Sequence, residues 1–124
     1  MVFTTYGKIE GAKRSWSVSG AVPCCIAVGI GSQAVTTSII TLGSEEDRNN
    51  FTGGSVDIGT EREVSMQSDF NTVEMSGLTL TEFAAFPTSG AGTGSAFNVE
   101  NFAGAGVEFD GTNELQIQII YQTF

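Results

Sequence analysis

An all-β fold, a single-domain antiparallel β-sandwich of Greek-key or immunoglobulin-like type with an irregular N-terminal arm, is predicted by three observations. Short strand-like runs occur at 25–30 and recur from residue 55 to the end of the chain, about seven to nine in all. No stretch carries a sustained apolar stripe at helical period. Glycine is frequent, at 16 of 124 residues, and punctuates the strand-like runs. A chain of this length buries roughly two thirds of its unfolded surface within one core, so it predicts one sandwich over 21–124 preceded by an arm over 1–20.

In the arm, Phe3, Tyr6 and Trp16 are mixed with Gly and Ser without a sustained period. These aromatics are candidates for contact with a partner, and Trp16 reads as covering one end of the core rather than as binding a ligand. Ile26, Val28 and Ile30 then alternate with Cys25, Ala27 and Gly29 in a first strand that runs into Gly31. Gly29, Gly31 and Ala34 have the G-x-G-x-x-A spacing of a dinucleotide loop, but the residues that follow, VTTSIITL, are β-branched where that loop needs a helix. The glycines therefore read as turn residues.

SEEDRNNF, residues 44–51, reads as one helical turn or a compact loop, because Ser44 with Asp47 three positions on forms a capping box and Gly53 and Gly54 stop it. Strands follow at Val56 and Ile58, at Val64, Met66 and Phe70, and at Val73 and Met75. SGLTLTEFAAF, residues 76–86, is the strand on which the rest depends: Leu78, Leu80, Glu82, Ala84 and Phe86 share one face at period two. TSGAGTGS, residues 88–95, reads as a flexible loop. Phe97 with Val99 and then 107–109 are further extended pieces, and DGTNE, residues 110–114, reads as a hairpin loop rather than a calcium loop. The closing run 114–124 places Leu115, Ile117, Ile119 and Tyr121 on one face and Gln116, Gln118 and Gln122 on the other. It is the expected sheet partner of 76–86, and its end, with Tyr121 and Phe124, is a candidate contact with another subunit.

Composition narrows the function. The chain has no histidine, which excludes Ser-His-Asp and Cys-His catalysis and His-based metal sites. The fourteen acidic side chains form no recognisable catalytic pair by spacing, and no cofactor is expected. Residues 1–43 carry three basic and one acidic side chain, whereas 44–124 carry two basic and thirteen acidic. An acidic body opposes phosphate contacts, so no nucleic-acid partner is expected. The longest apolar run, 22–30, is far short of the ~20 residues of a membrane span, and the Ser- and Gly-rich segment behind Lys8, Lys13 and Arg14 lacks the apolar centre of a signal peptide. Neither membrane insertion nor secretion is expected. Cys24 and Cys25 are adjacent and read as small, apolar, reduced residues rather than as a bridge.

Glu82 is the anomaly. A lone carboxylate on an apolar face must be paired, satisfied by backbone N–H groups, or turned outward by a bulge, and the available cations are Arg48 and Arg62. The leading expectation is a buried contact between Glu82 and one of these arginines.

Three segments together, IAVGIGS at 26–32, LGSEEDR at 42–48 and LTLTEFAAF at 78–86, followed by the closing amphipathic strand, resemble small virion structural proteins of tailed bacteriophages, with a pattern shared by the N-terminal attachment domain of tail-collar fibre proteins. The likeness runs over residues 25–124; Ala84 and Ala85 stand where that group usually has Gly and Leu. By position, Glu82, Phe86 and Arg48 match its acidic strand residue, its closing aromatic and its turn arginine. The resemblance implies a particle-building role without chemistry of its own, in the virion and assembled in the host cytoplasm. It implies self-association into a homo-oligomer and other virion proteins as partners, whether collar, tail or major capsid protein. An accessory subunit at the collar or tail and a capsid decoration (cement) protein both fit. A carbohydrate-binding β-sandwich module is the alternative from another class.

Overall fold

The computed structural model describes residues 2–15, 22–57, 63–71, 77–102, 104, 106–110 and 112–122. They form ten strands and one helix: β1 (Val2–Phe3), α1 (Thr5–Ser15), β2 (Cys25–Gly29), β3 (Glu45–Asn50), β4 (Gly53–Asp57), β5 (Glu63–Phe70), β6 (Thr79–Leu80), β7 (Glu82–Phe86), β8 (Asn98–Asn101), β9 (Val107–Glu108) and β10 (Leu115–Gln122). Every strand pairing is antiparallel. A five-stranded sheet in the order β1-β8-β7-β2-β3 faces a three-stranded sheet in the order β10-β5-β4, and β6 with β9 forms a small third sheet. The fold is all-β with sandwich character.

The five-stranded sheet is covered on both faces, which explains why its interior strand β2, CIAVG, is apolar throughout and fully buried instead of alternating. On one face Ile26, Val28 and Ala85 meet Phe70, Ile117 and Ile119 of the three-stranded sheet, with Leu80 and Phe109 closing the end. On the other, Cys25, Ala27, Ala84, Phe86 and Val99 pack under Leu42, Val35 and Ile39 of the 31–44 segment and under Ala96.

The N-terminal arm is not irregular over 2–15. Val2 and Phe3 pair with Val99 and Asn98 of β8, and α1 follows at once. Thr4 is its N-cap: the hydroxyl accepts a hydrogen bond from Gly7 N at 2.9 Å and donates one to Ala96 O at 2.5 Å, while Thr5 N donates to Thr37 O at 2.8 Å. A Cβ at Gly7 would lie 2.1 Å from Phe97 O, so the helix needs glycine to lie this close. Tyr6 packs edge-on against Phe97, with ring centroids 5.3 Å apart. Two glycines in the helical sequence conceal it from a propensity reading.

Residues 45–50 are a strand and not a helical turn. The capping-box pattern is overridden by pairing with β2, where Cys25, Ile26, Ala27 and Val28 stand opposite Asn50, Asn49, Arg48 and Asp47. Charge along this edge strand also discourages unwanted pairing.

The two strands expected to pair do not. β10 runs along β5 over eight residue pairs from Leu115↔Phe70 to Gln122↔Glu63, whereas β7 lies between β2 and β8. The alternation within β10 is as expected: Ile117 and Ile119 are buried, Gln116 and Gln118 exposed. Residues 110–114 join β9 to β10 across two sheets and so close no hairpin. The expected strand at Val73 and Met75 lies outside the described residues, as do Trp16, Arg62 and Phe124.

Candidate functional site: a caged carboxylate and an arginine-tied loop

The face shared by Leu78, Leu80, Glu82, Ala84 and Phe86 in the sequence is split at Thr81. Leu80 belongs to the core between the sheets, whereas Ala84 and Phe86 belong to the opposite one. Thr81 makes the change: its N–H donates to Gly29 O at 2.9 Å and its hydroxyl to Gly31 O at 2.6 Å, so β6 ends and β7 begins around it. Glu82 thereby enters the second core with 1% of its surface exposed.

Arg48, the one of the two expected arginines among the described residues, does not pair with the Glu82 carboxylate. Oε1 accepts the N–H of Gly31 at 3.0 Å and of Ser44 at 2.8 Å, and Oε2 accepts that of Gly43 at 3.0 Å. Three backbone dipoles supply the stabilisation that a side-chain cation was expected to give. The bulge that would turn it outward is not found: β7 pairs with β2 and β8 without a register shift, the irregularity nearby lies between Val28 and Gly29 where β2 meets β3, and the carboxylate turns inward.

The glycines are part of the cage. A Cβ on Gly31 would stand 2.5 Å from Glu82 Oε1 and 2.8 Å from Gly43 Cα; one on Gly29 would stand 2.3 Å from Ser44 O. The G-x-G spacing is therefore filled by the protein's own carboxylate. Residues 30–42 contain no helix to receive a pyrophosphate.

Arg48 is engaged elsewhere. Its Nε and Nη2 meet Glu45 Oε2 and Oε1 at 3.1 and 2.5 Å, its Nη1 donates to Thr88 O at 2.9 Å and Thr93 O at 2.8 Å, and its guanidinium lies 3.8 Å from the Phe86 ring centroid. Its side chain is only 1% exposed. The TSGAGTGS loop is thus fastened rather than free: Gly92 N donates to Glu45 Oε2 at 3.3 Å, and the Thr88 and Thr93 hydroxyls are 2.9 Å apart. Gly92 and Gly94 adopt φ of 74° and 73°, the left-handed region that suits glycine.

Cys25 lies against this loop. Its Sγ donates to Thr88 O at 2.9 Å, and burial, with Cys24 beside it, pushes the thiol up to about 12. After β9, Asp110 Oδ1 accepts the hydroxyl and the N–H of Thr112 at 2.7 and 2.8 Å, which hold its carboxyl below the usual range. A hollow of about 420 Å³ lined by Asp69, Phe70, Asn71, Glu114, Leu115 and Gln116 opens between β5 and β10. Asp69 is already committed there, to Gln116 Nε2 at 2.9 Å and Thr52 Oγ1 at 3.0 Å. Among the described residues, no group of three His, Cys, Asp or Glu is placed to hold a metal ion, and no helix is long and apolar enough to cross a membrane.

The residues singled out in the sequence thus separate. Glu82 and Arg48 sit on one sheet but serve different contacts; Phe3 is 36% exposed on the edge strand β1; Tyr6 packs on its own chain's Phe97; Tyr121 pairs with Val64 along β10. The sequence reading missed Gly43 and Ser44 as carboxylate donors and Glu45, Thr88 and Thr93 as partners of Arg48. The i,i+3 spacing of Glu45 and Arg48 is a pairing signal on a helical turn; in the strand found here it is the irregularity opposite Val28 and Gly29, which skips Glu46, that goes with the pair. Comparison of the chain with known protein families, curated proteins and solved structures finds no match.

Proposed function

We propose that this chain is a non-enzymatic virion structural protein of a tailed bacteriophage, an accessory subunit at the collar or tail that mediates assembly or fibre attachment. One observation carries the reading. The three segments on which the resemblance rests meet at a single point: the first supplies Gly31, the second Gly43 and Ser44, and the third the Glu82 that they enclose. Segments whose contacts span 38 to 51 residues and that resemble one family in sequence therefore act as one architectural device, which favours a shared fold over three chance likenesses. The acidic residue and the arginine matched to that family are both consumed in holding loops to the sheet, a role suited to a part that must keep its shape under load.

In this reading the chain acts by presenting surfaces to its own copies and to collar, tail or capsid proteins, and it resides in the particle after assembly in the host cytoplasm. The test is deletion of its reading frame in the phage that encodes it, followed by electron microscopy and mass spectrometry of purified particles. The chain is expected in wild-type particles, and its loss is expected to give particles lacking fibres or with detached tails. Wild-type particles free of the chain would contradict the role. Intact collars and fibres on deletion particles that lose a uniform capsid coat would assign it to capsid decoration instead.

A further inference from the structure

The three-stranded sheet ends in β10, and among the described residues no strand lies beyond it. An edge strand offers unpaired N–H and C=O groups to any chain that can approach, and proteins ordinarily block this with charge, proline, a bulge or brevity. β10 uses none of these. It is eight residues long, pairs with β5 without a register shift, and carries no charged residue in a chain of net charge −9. The competing edges differ: β3 carries Glu45, Glu46, Asp47 and Arg48, β4 ends in Asp57, and β1 has two residues. For two copies of so acidic a molecule, β10 is the edge along which like charges do not meet.

We propose that two copies of this chain associate by pairing β10 with β10, antiparallel, about a two-fold axis normal to the three-stranded sheet. That symmetry keeps each face of the strand on its own side. Ile117 and Ile119 then meet their counterparts over the core, and Gln116, Gln118 and Ile120, which is 44% exposed, meet theirs in solvent. The two central registers that preserve the faces put Gln118 opposite Gln118 or opposite Ile120 of the second copy. In either register the two Gln118 side chains lie within roughly 8 Å. This gives a surface to the self-association in the function proposed above, and rests on that reading only in expecting copies to meet.

The test is sedimentation equilibrium of the full chain as wild type, as Gln118→Glu, as Gln118→Lys, and as a 1:1 mixture of the two variants. Wild type is expected to be dimeric, each variant alone to associate up to about fivefold more weakly because like charges face each other, and the mixture to recover dimers. A wild type that remains monomeric, variants that associate as wild type does, or a mixture that recovers nothing would each overturn the proposal. A monomer found in purified particles would overturn it while leaving the virion role standing; a β10-paired dimer absent from particles would do the reverse.

Discussion

Replacing Glu82 with alanine removes the acceptor of three backbone N–H groups at once, those of Gly31, Gly43 and Ser44. A donor left without a partner costs about 1–3 kcal/mol when buried, and Gly43 and Ser44 lie near enough to solvent for water to recover part of that. The expected loss is about 4 kcal/mol, a large share of the roughly 5–15 kcal/mol that holds a domain folded. Glu82→Gln keeps the shape and one oxygen, which serves Gly31 and Ser44, but turns an amide NH₂ toward the Gly43 N–H. About 2 kcal/mol is expected there. Gly31→Ala drives a methyl group to within 2.5 Å of Oε1, so its cost should be partly relieved when Glu82 is also alanine. Urea unfolding of the four variants against wild type measures all of this. If Glu82→Ala falls within about 0.5 kcal/mol of wild type, or if the glutamine variant is as damaged as the alanine one, the carboxylate cage is not what holds the 31–44 segment to the sheet.

Arg48→Ala should cost about 3 kcal/mol and free residues 88–95, seen as rapid amide exchange and new proteolytic cleavage in that loop, whereas Arg48→Lys keeps the charge but loses the fork to Glu45 and should release the loop in part. Cys25 should resist alkylation in the native protein at pH 8. Because the folded thiol holds its proton up to about 12 while the unfolded one releases it near 9.0, its stabilising contribution is complete below pH 9 and is lost as pH rises through that window; the alkaline loss of stability should be shallower in Cys25→Ala. Thr112→Val should return the Asp110 carboxyl toward its ordinary range, read by NMR titration, and lessen the small stability that Asp110 loses as pH falls through its lowered value.

The sequence was most legible where one physical rule acted alone. The alternation of β10 follows from which face is covered and appears in the structure as read; β2 is found as a strand where one was expected, but buried on both faces rather than alternating. It was least legible where tertiary contacts outweigh local signals. Residues 45–50 have the local chemistry of a helix start, but the N–H of Ser44 that such a start would leave open is given to Glu82, and the residues after it pair with β2. The reverse happens at 5–15, where Gly7 lowers helix propensity yet permits the contact with Phe97 that stabilises the helix. Glu82 was recognised as a residue requiring satisfaction, and of the means open to it backbone N–H groups are the one found; they were ranked behind an arginine because backbone donors carry no mark in the sequence. Gly31 and Gly43 showed only that turns were near. Nor does a period-two count register a single-residue break such as Thr81, which moves Leu80 and Glu82 into different cores.

The central claim, that this architecture serves a virus particle, meets its most direct test in the stoichiometry of purified virions by quantitative mass spectrometry against the major capsid and tail proteins. A collar or tail subunit should appear at a small, fixed copy number set by the symmetry of that assembly. Absence of the chain from particles that are complete and infectious would contradict the account.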